Sequence, residues 1–142
     1  MRLRFSLWWR IFLFLLFPSL CFAQSKKTIV AVVHEGQDSV GQGVAFALKE
    51  AIRASQGFVL VDDSGVNPRV VARIVSVEID VAGRGNSSSV GTAILYDSGE
   101  MPASKIFLNL VTQFCGRERI EWCARSILME IDRLVDRLWK NR

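Results

Sequence analysis

His34, Asp38 and Ser39 are the residue types of nucleophilic catalysis gathered in one short stretch. A serine hydroxyl attacks a carbonyl when a base takes its proton and a carboxylate orients that base, so any such site here must use His34, the one histidine of the chain. A small periplasmic hydrolase built on Ser39, Asp38 and His34 is one reading. Its flanks argue against it: a G-x-S-x-G elbow needs glycine where Gln37 stands, and the glycine that precedes Asp-Ser in GDSL-type lipases is missing too. A lone loop histidine without a second positioned partner is usually structural. The leading reading therefore assigns no catalytic residue.

The same stretch, Gly36 to Gly43, has the G-x4-G spacing of a phosphate loop between a strand and a helix. A phosphate loop also needs Lys and Ser or Thr after the second glycine, and Gln42-Gly43 supply neither. The sequence predicts instead that Gly36 turns, Asp38 or Ser39 caps a helix, and Gly41 and Gly43 allow close packing. The carboxylate pairs Glu35/Asp38, Asp62/Asp63 and Glu78/Asp80 read as solvated faces and turns, because glycosidase chemistry needs two carboxyls facing across a cleft. The turn Asp62-Asp63-Ser64-Gly65 lacks the further oxygens of a calcium loop. No cofactor is implied.

Cys115 and Cys123 have the C-x7-C spacing, which is no zinc knuckle, and His34 is remote in sequence, so no metal site is expected. The third cysteine, Cys21, belongs to a leader. Arg2, Arg4 and Arg10 give a basic start, Ile11 to Phe17 is apolar, Pro18 ends the run, and Cys21-Phe22-Ala23 offers small residues at the cleavage positions. Residues 1–23 thus read as a signal peptide, with the mature chain starting near Gln24. The run is too short to span a bilayer, so no integral anchor is expected after cleavage. A lipid anchor through Cys21 is the alternative, although bulky Leu20 departs from a Leu-Ala-Gly-Cys lipobox. In the exported, oxidising setting the remaining even pair, Cys115 and Cys123, is expected as a disulfide.

Losing the leader also removes three of the chain's basic residues and no acidic one, which takes the net charge from +4 to +1. The basic isoelectric point is largely a targeting signal, and nucleic-acid binding has no support. Residues 24–142 suit one domain, long enough to bury roughly two thirds of its unfolded surface.

The elements that must position these residues follow from periodicity. Thr28 to His34 is a β-branched run expected as a buried strand, and Val40, Val44, Ala47, Leu48, Ala51 and Ile52 recur at helical spacing until Gly57. Strands are expected at Phe58 to Asp62 and Arg69 to Asp80, the latter with Val75, Val77 and Ile79 inward and Ser76, Glu78 and Asp80 wet. Ala82 to Ser89 reads as a polar connection, Val90 to Tyr96 as the return strand of a hairpin, and Lys105 to Thr112 as a fifth strand. A final helix from about Glu118 to Trp139 carries the stripe Ile120, Cys123, Ala124, Ile127, Leu128, Ile131, Leu134, Val135 and Leu138. The order β-α-β-β-β-β-α predicts an α+β domain with a single mainly antiparallel sheet and two amphipathic helices on one face, with a crossover through the first helix.

This order resembles the TolB amino-terminal domain and related modules of envelope lipoproteins, a likeness of fold alone. A second resemblance, to a group of small, uncharacterised exported bacterial proteins of proteobacterial type, rests on Asp38-x-Val40-Gly41, on Leu48-Lys49-Glu50-x-Ile52-Arg53-x-Ser55, on Pro68-Arg69, on Cys115-Gly116-x-x-Arg119-x-x-x-Cys123-Ala124 and on Ile131-Asp132. It implies fold and location and adds no activity.

On the last helix, Trp122 and Met129 fall nearly opposite the apolar stripe, beside Arg125 and Arg133. Aromatic and arginine side chains are enriched in interface hot spots, so these four are the partner-binding candidates. Either they form such an anchor, or Trp122 is covered, stacked on Arg119 or Arg125. The functional expectation is an exported, non-enzymatic binding or accessory module of the bacterial envelope, periplasmic or secreted, with an envelope protein as partner and its oligomeric state open.

Overall fold

The computed structural model describes residues 27–62, 66–79, 87–99 and 105–140. The expected leader, with Cys21 and the expected cleavage site, lies outside them, as do residues 63–65, with Asp63, and 80–86, with Asp80.

Five strands form one mixed sheet: β1 (Thr28–Glu35), β2 (Phe58–Val61), β3 (Arg69–Glu78), β4 (Ser87–Asp97) and β5 (Lys105–Gly116), in the spatial order β2-β1-β3-β4-β5. β1 pairs parallel with both β2 and β3, and the longer β3-β4 and β4-β5 pairs are antiparallel. The parallel β1-β2 pair requires a crossover, which α1 (Ser39–Ala54) supplies. A 3₁₀ turn at Arg117–Arg119 leads from β5 into α2 (Ile120–Lys140).

Both helices bury their apolar stripes on the same face of the sheet. Val44, Leu48 and Ile52 of α1 and Ile127 and Ile131 of α2 are fully buried with Val30, Ile74, Val90 and Ile94 beneath them. Each such aliphatic side chain contributes roughly 1.5 to 3 kcal/mol over its exposed state, which is why these stripes decide where the helices lie. α1 ends at Ala54, three residues before the anticipated Gly57 stop, where Ser55 turns extended and its amide donates to the Ile52 carbonyl. Among the described residues no helix is long and apolar enough to cross a membrane.

The strand phases differ from expectation in one respect. Val75, Val77 and Ile79 are exposed at 46%, 63% and 36%, while Ser76 is buried. Val75, Val77 and Ser76 are therefore reversed from expectation, whereas Glu78 is exposed as expected. Ser87 to Ser89, read as loop, are the first residues of β4, and Ser88 is buried opposite Cys115 of β5. β5 itself runs past Thr112 to Gly116.

Among the described residues the second face of the sheet has no helix on it. Register places Val75, Val77, Leu95, Phe107, Leu110 and Phe114 on this side, since each alternates along its strand, or is paired with a residue that alternates, against helix-side residues such as Ile74, Ser76, Val90, Ile94 and Cys115. An ion pair between Arg73 and Glu35, 3.2 Å apart, lies on the same face beside Val75, the cross-strand partner of Glu35.

Candidate functional site

Asp38 ends the turn after β1 and caps α1, with its backbone extended and Oδ2 accepting the Gly41 amide at 2.6 Å. Capping uses one lone pair of a carboxylate that has several, and this carboxylate is buried. The remaining capacity is filled from the sheet: Ser76 Oγ of β3 donates to Oδ1, and Ser88 Oγ of β4 donates to Oδ2 at 2.6 Å. Burial pushes the Asp38 carboxyl up, but the hydroxyls of Ser76 and Ser88 and the Gly41 amide outweigh it, and the group is held below its ordinary value. It is an ionised cap fastened to two strands.

His34, on the same face of β1, places Nε2 2.8 Å from Ser76 Oγ. Because that hydroxyl gives its proton to Asp38, the imidazole Nε2-H donates to Ser76. The order His34, Ser76, Asp38 puts serine in the middle, whereas nucleophilic activation needs histidine between the hydroxyl and the carboxylate. Ser39, the nucleophile of the hydrolase reading, is exposed in the first turn of α1, and the hydrogen bond of His34 goes to Ser76 instead. Of the three residues grouped from the sequence, the fold joins His34 and Asp38 through a fourth.

Glycines close the cluster. Gly36 has φ of 151°, a conformation side-chain-bearing residues rarely adopt, and a Cβ there would meet Ser76 Oγ at 2.6 Å. A Cβ at Gly41 would collide with both Oγ and Cβ of Ser76, and one at Gly43 would meet Ile120 Cδ1 at 2.8 Å. The glycines that imitate phosphate-loop spacing thus let α1 sit hard against β3 and α2.

Cys115 and Cys123 are bonded, with Cα atoms 6.3 Å apart and both side chains buried. The bond ties the end of β5 to the first turn of α2. Polar contacts extend that seam: Gln113 Nε2 donates to the Cys123 carbonyl at 3.0 Å, and Asn109 Nδ2 donates to Glu130 Oε1 at 2.7 Å. Hydrogen bonds from Arg133 first, then from Asn109, outweigh partial burial and hold the Glu130 carboxyl below its usual range.

The outer face of α2 carries Trp122 and Met129, exposed at 55% and 69%. Arg119 lies over the Trp122 ring, 4.6 Å from its centroid. The arginines expected beside them are engaged: Arg133 forms two hydrogen bonds with Glu130, and Arg125 lies 3.9 Å from Glu121. The aromatic side chain is therefore stacked on a cation while over half of it stays open.

Ser76 and Ser88 were not singled out from the sequence as partners of Asp38. The available signal was a serine inside the β-branched run Val75-Ser76-Val77, which a buried partner would explain. No family model matches this chain, and no curated protein matches it.

Proposed function

We propose that this chain is an exported, non-enzymatic binding module of the bacterial cell envelope, and that the face of its sheet opposite the two helices meets a protein partner. One observation carries the reading: Val75, Val77, Phe107, Leu110 and Phe114 are all 46% exposed or more and lie on that single face. Isolated apolar residues on a surface need no explanation, but a contiguous apolar face with aromatic members marks an interaction site. Export is supported by the leader and by the paired cysteines, which suit an oxidising compartment. The element order shared with envelope modules of the TolB type agrees with this setting.

Two measurements test it. Mass spectrometry of the chain recovered from an envelope fraction should find an amino terminus at or near Gln24; an intact Met1 would overturn export. A photocrosslinking residue placed at Val77 should capture a defined envelope protein that the same residue placed at Lys49 on α1 does not. Equal capture at both positions, or none at Val77, would remove the sheet face as the binding surface.

A further inference from the structure

β5 is an edge strand, with β4 on one side and no strand on the other among the described residues. Natural edges of this length are usually blunted by charges, prolines or bulges, because unpaired backbone groups recruit other strands. β5 has two such devices, the charge of Lys105 at its start and an irregularity that pairs Ile94 with Asn109 and Leu95 with Phe107, leaving Leu108 as the extra residue. Beyond them, Asn109 to Cys115 is regular, free of charge and free of proline. The strand then ends at Gly116.

That regular segment is self-complementary about its midpoint, Thr112. On the open face its row is Leu110, Thr112, Phe114, with Leu110 and Phe114 each 54% exposed. Laid antiparallel on an identical strand with the two-fold axis at Thr112, each Leu110 faces Phe114 of the other copy and the two threonines face each other. Aliphatic-aromatic and Thr-Thr pairs are the favourable cross-strand combinations. Moving the axis by one residue sets Thr112 against Leu110 or Phe114 and loses both matches. The axis also keeps the helices of the two copies on the same side, so the open faces join into one apolar surface.

We infer that a second copy of this chain pairs antiparallel with β5 through Asn109 to Cys115, centred on Thr112, to give a continuous ten-stranded sheet. The inference shares side chains with the binding face proposed above and deepens it by naming one occupant of the adjoining edge. Seven residues a side is small beside the 20 to 30 of a standard interface, so the dimer is weak, with a dissociation constant of about 10 to 100 μM.

The exported chain, purified alone, provides the test. Sedimentation equilibrium should show a monomer-dimer system in that range, and Thr112→Lys, which sets two ammonium groups face to face, should weaken it at least about tenfold while the circular dichroism spectrum is unchanged. In parallel, Thr112→Cys should form an intermolecular disulfide on mild oxidation, since directly opposed Cβ atoms lie within about 5.5 Å, and Ser89→Cys, exposed on the same face one strand inward, should not. Monomer throughout up to about 1 mM, unchanged association in Thr112→Lys, or equal crosslinking at positions 112 and 89 would each overturn the pairing. Because no second protein is present, a negative result leaves the capture experiment at Val77 standing, and the reverse also holds.

Discussion

Ser88 Oγ donates to Oδ2 of Asp38 at 2.6 Å, although 50 positions separate the two residues. A helix cap and the opening residues of β4 are thereby one unit. Asp38 bridges the N-terminus of α1 to both strands of the β3-β4 hairpin, and His34 closes the cluster from β1.

Asp38→Asn should lower stability in urea by about 1 to 3 kcal/mol, because an amide presents donor hydrogens where Gly41, Ser76 and Ser88 already donate. The pH dependence follows from the lowered pKa. A carboxylate held below its ordinary value of 3.8 stabilises the fold above that pH, and the contribution is lost as pH falls through the folded value. The stability difference between the native chain and Asp38→Asn should accordingly be constant from pH 7 to 5 and shrink below about 4. A difference that grows on acidification would reverse the sign assigned to this group.

Gly41→Ala should destabilise by about 1 to 3 kcal/mol or more, since the new methyl enters the space of Ser76 Oγ and Cβ. Ser76→Gly in the same chain should recover part of the loss despite removing the hydrogen bonds to Asp38 and His34. Equal or additive losses in the double variant would place the cost in the backbone of α1 and not in this contact.

Reducing the Cys115–Cys123 bond should lower the melting temperature. A bridge between residues eight apart contributes roughly 2 to 3 kcal/mol in the chain-entropy treatment. Two freely alkylated thiols in the native protein, or an unchanged melting temperature on reduction, would show that the seam of Gln113, Asn109 and Glu130 holds α2 by itself.

Thr92 lies at the centre of the helix-side face, fully buried, and its Oγ1 has no hydrogen-bond partner among the described residues. Thr92→Val keeps the shape and removes the unmet hydroxyl, so it should stabilise by about 1 kcal/mol. A loss of stability on this substitution would mean that the hydroxyl is satisfied in solution.

Trp122→Ala removes a side chain that is 55% exposed and stacked on Arg119, and should change stability by less than about 1 kcal/mol. A variant that unfolds would assign Trp122 to the structure. If partner capture by the intact chain falls while the fold persists, the outer face of α2 is part of the binding surface.

Much of this architecture is visible in local chemistry. The stripes of α1 and α2 are legible because a 3.6-residue period leaves one choice of buried face, and Asp38 announces a helix start because its carboxylate matches the free amides of a first turn. The cysteine pair is legible by count if residues 1–23 are read as a leader and set aside. Strand alternation carries less information, since it separates two faces without saying which is inward. In β3 the side with Val75 and Val77 has the more apolar residues and was expected inside, yet Ser76 takes that place because a buried carboxylate on α1 needs donors there. The same distant requirement draws Ser88 into β4 from a stretch that reads locally as loop. Sequence spacing likewise groups His34, Asp38 and Ser39, and the fold turns Ser39 outward and brings in Ser76 from 38 positions past the cap. Periodicity and capping act over a few residues and are written in the chain itself, whereas the satisfaction of a buried charge depends on whichever strand lies beneath it, and only tertiary packing decides that.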